Sequence, residues 1–310
     1  MTALRHLLCA APLLAALAVQ AQDADSTPSN PGPQALTGTL AQVHASGSIA
    51  LAYRGSSVPF SYLGAQGGQP IGYSIELCKA LVRAVELAVQ RPLEIRWVPV
   101  TSATRMQAIV SGQADLECGS TTSNLERQKT VAFSPTIFVA GTRLLVRKGE
   151  GIRDWRDLAH KKVAVTAGTT NEQVMRNLSQ RLKVPMTLLV APDHAQAFAE
   201  VDSGAADAFA TDDVLLYGLV AQTPGAAKRL AVVGELLSYE PYAVMFRKAD
   251  PQLAKLVTDS MRALARDGEI DRQYRRWFLQ KLPGGQQRLG LPMSAQLEAI
   301  IETLSAAQVE

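Results

Sequence analysis

From about Gly38 onward the chain alternates short β-branched or apolar runs with longer amphipathic stretches, and nothing else in the sequence restricts the fold as strongly. Strands are predicted at 48–52, 93–99, 116–118, 162–166, 187–190 and 208–210. Helices are predicted at 74–89, 103–111, 171–181, 194–202 and 213–221. Regular β/α alternation points to parallel sheets assembled from βαβ units. With 310 residues the chain exceeds a typical single core, which predicts two lobes.

A short internal repeat supports two lobes of similar plan. Ser111-Gly112-Gln113-Ala114-Asp115 follows one predicted helix and precedes one predicted strand, and Ser203-Gly204-Ala205-Ala206-Asp207 does the same later. In each copy the glycine suits the helix C′ position, where positive φ is required. Each strand then ends in a polar cluster, Gly119-Ser120-Thr121-Thr122 in one and Thr211-Asp212-Asp213 in the other. Two extended apolar stretches, 136–146 and 240–246, are each long enough to cross between lobes as a hinge strand. This organisation predicts lobe 1 from 38–138 plus 245–310, and lobe 2 from 139–244 including the crossings. Residues 251–279 read as two helices whose Tyr274, Trp277 and Phe278 pack against the lobe. A last amphipathic helix is predicted at 294–305.

The first 21 residues set the compartment. Arg5 and His6 precede an apolar run from Leu7 to Val19, and Val19-Gln20-Ala21 offers small residues for cleavage. A run of about 13 residues is too short for a bilayer span, so a cleaved signal peptide and an exported, periplasmic protein are expected. Residues 22–37 are rich in Pro, Ser and Asp and read as a flexible leader. Cys9 leaves with the signal peptide. Cys78 and Cys118 remain, and an oxidising compartment permits one disulfide between them as readily as two buried thiols. No CxxC or His/Cys cluster suggests a metal, and a formal charge of +3 is too small and dispersed to suggest nucleic acid. No cofactor is expected.

Open parallel sheets bind ligands beyond the carboxyl ends of their strands, and the polar residues collect there. Arg54 follows the first strand, Ser102 and Arg105 the second, and Ser120, Thr122 and Arg127 the third. In the second lobe Thr169, Thr170, His194 and Asp212 hold the equivalent junctions. Five of them have a plainer alternative. Arg54 could be an exposed turn residue, Ser102 and Asp212 helix N-caps, Arg127 part of a solvated charge run, and His194 a surface or capping histidine. Taken together, three fixed cations and a chargeable histidine face one carboxylate, Asp212. Burying that set is costly unless a ligand supplies negative charge. A zwitterionic amino acid with a second carboxylate restores the balance, and the planar fork of arginine suits carboxylates.

At these positions the chain resembles the periplasmic glutamate/aspartate-binding proteins of ABC importers, within the family-3 extracellular solute-binding proteins. The resemblance runs from about Thr39 to Leu297. It rests on Ser56-Ser57-Val58-Pro59-Phe60-Ser61-Tyr62, Gly72-Tyr73-Ser74, Glu117-Cys118-Gly119-Ser120-Thr121-Thr122, Glu126-Arg127-Gln128-Lys129, Phe133-Ser134, Gly141-Thr142-Arg143-Leu144-Leu145 and Gly168-Thr169-Thr170. It implies a two-lobed α/β fold of the type II periplasmic-binding-protein class, closing about two hinge strands, and a monomer that delivers L-glutamate or L-aspartate to membrane permease subunits. It also implies roles. Arg127 holds the α-carboxylate with donors from Ser120, Thr122 and Thr170. Asp212 holds the ammonium, and Arg54, Arg105, Ser102 and His194 hold the side-chain carboxylate. Tyr53 and Gly55 flank Arg54 where a His-Arg-Glu tripeptide is associated with glutamate/aspartate members, which leaves the choice between the two ligands open. Two rival readings share the fold: a periplasmic dehydratase acting on cyclic carboxylic acids, and a soluble ligand sensor.

Overall fold

A computed structural model describes residues 35–64, 67–283 and 287–307. The expected signal peptide and nearly all of the expected leader therefore lie outside the described residues.

The described chain begins with α1 (Gly38–Ser46), which the sequence reading did not anticipate, and β1 (Ser48–Tyr53). A small antiparallel sheet follows, formed by β2 (Ser56–Ser57), β3 (Ser61–Leu63) and β4 (Pro70–Ile71). Next come α2 (Tyr73–Val89), β5 (Glu94–Pro99), α3 (Arg105–Val110), β6 (Leu116–Glu117), α4 (Leu125–Gln128) and β7 (Val131–Phe133). The helix α2 forms because Cys78, Leu81, Val82, Val85 and Val89 recur on one buried face, and it stops where Gln90 turns left-handed ahead of Pro92.

The chain then crosses on β8 (Phe138–Ala140) into β9 (Thr142–Arg147), β10 (Lys162–Thr166), α5 (Thr170–Arg181), β11 (Thr187–Ala191), α6 (His194–Ser203) and β12 (Ala208–Asp212). After α7 (Asp213–Gln222), α8 (Ala226–Arg229) and β13 (Leu230–Val233), it returns on β14 (Glu240–Tyr242) into β15 (Met245–Arg247). Three helices close the fold: α9 (Pro251–Arg266), α10 (Glu269–Tyr274), which runs into a π turn at Arg275–Leu279, and α11 (Ala295–Ala306). Tyr274, Trp277 and Phe278 are buried, with Phe278 stacked on Phe138 at 4.9 Å, so the aromatic stripe is core.

Two five-stranded sheets result, ordered β5-β1-β6-β15-β7 and β11-β10-β12-β9-β13. In each, three strands run parallel, and the fourth in order, β15 or β9, pairs antiparallel with both neighbours. That fourth strand is the one entered directly after a crossing. Each predicted crossing proves to be two strands rather than one. Between β8 and β9 stands Gly141, where a Cβ would collide with the backbone of Ser238. The crossings themselves pair as an antiparallel ribbon, Phe138 opposite Tyr242 and Ala140 opposite Glu240.

The sequence repeat is a structural repeat. The amide of Asp115 donates to Ala50 O, and its carboxylate accepts from Ala50 N, at 2.8 and 2.9 Å. Asp207 makes the same pair of bonds with Lys162, at 2.8 and 2.7 Å. Arg247, ending β15, donates to Ala114 O, and Arg147, ending β9, donates to Ala206 O. The turns and the antiparallel strands bracing them are thus equivalent in both lobes. A disulfide joins Cys78 on α2 to Cys118 just after β6.

Candidate functional site

The carboxyl ends of β1, β5 and β6 face those of β10, β11 and β12 across a closed cleft. Eight of the ten expected site residues line one small cavity there, together with Asn171 and Leu215; Arg54 and Arg127 are not among its lining residues. A roomier groove against α10 and α11 is lined by exposed Arg275, Glu298 and Glu302, and the hydroxyl of its buried Tyr274 is already spent on Pro292 O.

Arg54 is one of the largest fully buried side chains, not an exposed turn residue. Its backbone is pinned by the Ser61 hydroxyl at 2.9 Å. Gly119 makes room for it, because a Cβ there would lie 2.9 Å from Arg54 Cγ and strike Glu117. Neither Nη1 nor Nη2 has a protein partner. Burial, then the Arg105 charge, lower its pKa to about 9 against the opposing pull of Glu117.

Arg105 opens α3 and is also buried. Its Nη1 donates to Thr121 Oγ1 at 2.6 Å and Ser120 O at 3.3 Å, while Nε is unpartnered. The Thr121 hydroxyl in turn donates to Glu117 Oε2 at 2.6 Å, so a buried carboxylate anchors the guanidinium through one hydroxyl. The Ser102 and Ser120 hydroxyls are buried without partners. Ser102 does not cap α3: Thr104 holds the cap position and makes no side-chain cap bond. Half-buried Arg127 donates to Thr122 O at 2.9 Å and to Gly168 O at 3.4 Å; burial, and then Arg105, lower its pKa to about 10.

The opposite wall is acidic and hydroxylic. Asp212 heads α7 without capping it. Its Oδ1 accepts from Asn171 Nδ2 at 2.6 Å and its Oδ2 from the Tyr242 hydroxyl. Burial, then the Glu240 carboxylate, push its pKa up to about 7. Thr170 and Thr122 donate to the same oxygen, Glu240 Oε2, at 2.7 and 2.6 Å. Thr169 is a helix cap: its hydroxyl accepts from Glu172 N and donates to Thr166 O at 2.7 Å, so it offers no free donor to the cleft.

Two expectations need correction. His194 is buried with Nδ1 2.8 Å from Thr166 Oγ1, and burial plus the Arg54 and Arg105 charges hold its pKa well below the ordinary histidine value. It is neutral, not a fourth cation. The tally of three guanidiniums against one carboxylate also fails, because Glu117 and Glu240 are both buried beside them. The sequence reading missed these two, along with Asn171 and Tyr242. A usable signal existed, since a lone carboxylate inside an apolar strand (Leu116-Glu117-Cys118, or Glu240 opening a crossing strand) demands a buried partner.

The cleft therefore sets unpartnered donors on one wall against an acid on the other. Comparison with known proteins gives this arrangement a lineage. Residues 49–280 match the family of bacterial extracellular solute-binding proteins, family 3. The chain is 42% identical over 270 residues to the L-glutamate/L-aspartate-binding protein of Pseudomonas aeruginosa, covering 86% of this chain and 88% of that one. It is 39% identical to the glutamate/aspartate import solute-binding protein of Escherichia coli, covering 85% and 87%. An ancestral amino acid-binding protein described as a precursor of cyclohexadienyl dehydratase superposes with a TM-score of 0.67 at 30% identity, covering 78% of this chain and all of that one. The sheet order, the two crossings and these matches agree: the fold is the two-lobed type II periplasmic-binding-protein fold, and the chain belongs to the bacterial extracellular solute-binding proteins, family 3.

Proposed function

We propose that this protein is the periplasmic solute-binding component of an ABC amino-acid importer, which takes up L-glutamate or L-aspartate by lobe closure and presents it to membrane permease subunits. The observation that carries this reading is the cluster of buried, unpartnered donors: Arg54 Nη1 and Nη2, Arg105 Nε, Ser102 Oγ and Ser120 Oγ. Such groups cost roughly 1–3 kcal/mol each when left unpaired, and more when charged. A carboxylate beside them removes the cost. Glutamate and aspartate are the ligands named in the relatives above.

The ligand divides into three parts. Arg127, with Ser120, takes the α-carboxylate. Asp212 takes the ammonium, since each of its oxygens retains acceptor capacity beyond one hydrogen bond. Arg54, Arg105 and Ser102 take the side-chain carboxylate. His194 joins them as a neutral group: where Thr166 donates to Nδ1, Nε2 carries the proton and can donate. The lobe limits we adopt are 38–138 plus 245–310, and 139–244. They are supported by β15 lying in the sheet of β1, while β9 through β13 form the other.

We read the protein as a binder rather than an enzyme. A carboxyl titrating near neutrality suits a general base, but the ammonium takes the remaining acceptor capacity of Asp212 and the surrounding cations match a bound carboxylate. Closure is favoured only by contacts that are better in the closed state, and Arg127 reaching Gly168 is one such contact. A thermal-shift and calorimetric screen of all amino acids and common dicarboxylates tests the proposal. Stabilisation by glutamate and aspartate is expected; stabilisation by dicarboxylates alone would overturn the ammonium assignment.

A further inference from the structure

Two buried carboxylates, Glu117 and Glu240, stand behind the cleft. Glu117 is explained as the anchor of Arg105 through Thr121. Glu240 is different. It lies on the crossing strand β14, it does not line the cavity, and one of its oxygens receives hydroxyls from both walls.

A threonine hydroxyl owns one proton and two lone pairs, and a carboxylate has no proton to offer. Thr122 and Thr170 must therefore be the donors to Glu240 Oε2, and their protons point away from the cavity both residues line. What remains toward the cavity is acceptor character. We propose that Glu240 is a positioning residue for the ligand's ammonium group, turning Thr122 and Thr170 into acceptors that complete, with Asp212, a three-acceptor socket. This rests on the amino-acid-binding reading above and deepens it. It also revises the part that the family resemblance gave the two threonine hydroxyls: they are poised to accept from an ammonium rather than to donate to the α-carboxylate.

The charges agree with the hydrogen bonds. An ammonium presents three protons, and the socket offers Thr122 Oγ1, Thr170 Oγ1 and an Asp212 oxygen. Glu240 adds a second negative charge on this wall, and its field is felt at Asp212, Arg105 and Arg127. Without an acceptor at position 240, the hydroxyls would be free to rotate and donate inward, which suits a hydroxyl or keto group at the ligand's α-carbon. Glu240 thus selects an amino acid over the corresponding hydroxy acid. A plain latch holding the lobes together would instead weaken every ligand alike.

Calorimetry on the intact protein distinguishes the two. L-Glutamate is compared with (S)-2-hydroxyglutarate, which keeps both carboxylates and replaces the ammonium by a hydroxyl, on wild type and Glu240→Leu, which removes the acceptor. We expect the preference for glutamate to fall at least tenfold in Glu240→Leu, through weaker glutamate binding with the hydroxy acid unchanged or tighter. Equal weakening of both ligands, or an unchanged preference, overturns the proposal. Thr170→Val removes one acceptor without touching Glu240 and carries the test should Glu240→Leu not fold; it too must weaken glutamate more than the hydroxy acid. A wild type that binds no acidic amino acid sinks the functional reading itself, whereas a wild type that binds glutamate while the variants keep its preference sinks only the role of Glu240.

Discussion

Arg127 Nη2 donates to the carbonyl oxygen of Gly168 at 3.4 Å, joining the helix after β6 to the turn before α5 across the cleft. Gly168 sits at φ +74°, and a Cβ there would lie 2.7 Å from Ala103 Cα. The residue is thus both left-handed by conformation and a point of backbone-to-backbone approach between the walls. Gly168→Ala is expected to weaken glutamate binding by about tenfold or more, equivalent to about 1.4 kcal/mol. Small-angle scattering should show less compaction on adding glutamate than in wild type; full compaction with unchanged affinity would refute this account of closure.

Removing Arg54 should separate binding from stability. Its buried Nη1 and Nη2 lack partners among the described residues, so in the unliganded protein the side chain is a burden. Arg54→Met is expected to retain or raise the melting temperature while losing roughly 2–5 kcal/mol of glutamate affinity, the range for truncating one side of a buried charge pair. Arg105→Ala should also abolish binding but destabilise the fold, because Thr121 and Glu117 lose their cation. Melting curves and calorimetry on the two variants check both directions.

The raised pKa of Asp212 gives a pH signature. A carboxyl titrating at about 7 in the fold and near 3.8 when unfolded contributes stability below 3.8 that is lost as pH rises through 7. His194 acts oppositely: its folded pKa is depressed, so its contribution is present above the ordinary histidine value near 6.5 and is lost on acidification. Comparing wild type with Asp212→Asn isolates the first effect. The variant should gain melting temperature relative to wild type as pH climbs from 4 to 8, and should show no glutamate stabilisation at any pH. A pH-independent difference would count against the buried carboxyl.

Cys78 and Cys118 close a loop with a sequence separation of 40. Chain-entropy reasoning assigns such a link roughly 4 kcal/mol. Paired replacement by alanine should lower the melting temperature markedly. It should also weaken glutamate binding, because Cys118 immediately precedes the Gly119–Thr122 turn that carries Ser120 and the Arg105 contacts. A variant with wild-type affinity would show that the turn is held without the link.

The β/α alternation, the repeat and the strand-end clustering were legible because they follow from periodicity and local turn chemistry. Asp115 and Asp207 are recognisable as equivalent from the sequence alone, and their identical bonding to Ala50 and Lys162 shows why. The strands at 131–133 and 230–233 were not legible, being short and lying at sheet edges, where pairing rather than propensity decides. Of the site, the positive wall was visible because the arginines fall just beyond strand ends, Arg54 after β1, Arg105 after β5 and Arg127 after β6. The carboxylates Glu117 and Glu240 were hidden inside apolar strands, and their roles depend on which hydroxyls folding brings to them, information that no local window contains. The neutrality of His194 is hidden for the same reason, since it comes from burial and then from Arg54 and Arg105, distant in sequence.

The strand exchange between sheets has a bearing on how the chain reaches its native state. β15 is needed in the middle of the first sheet, between β6 and β7, yet it is synthesised only after the whole second lobe. Until it arrives, β6 and β7 lack their common partner and Asp115 lacks Arg247. The first sheet is therefore of high contact order, slow to complete, whereas the second draws all five strands from one uninterrupted stretch. The inserted lobe is placed to fold first, and its completion delivers β14 and β15 together, so that finishing the first sheet and setting Glu240 and Tyr242 behind the cleft are one event.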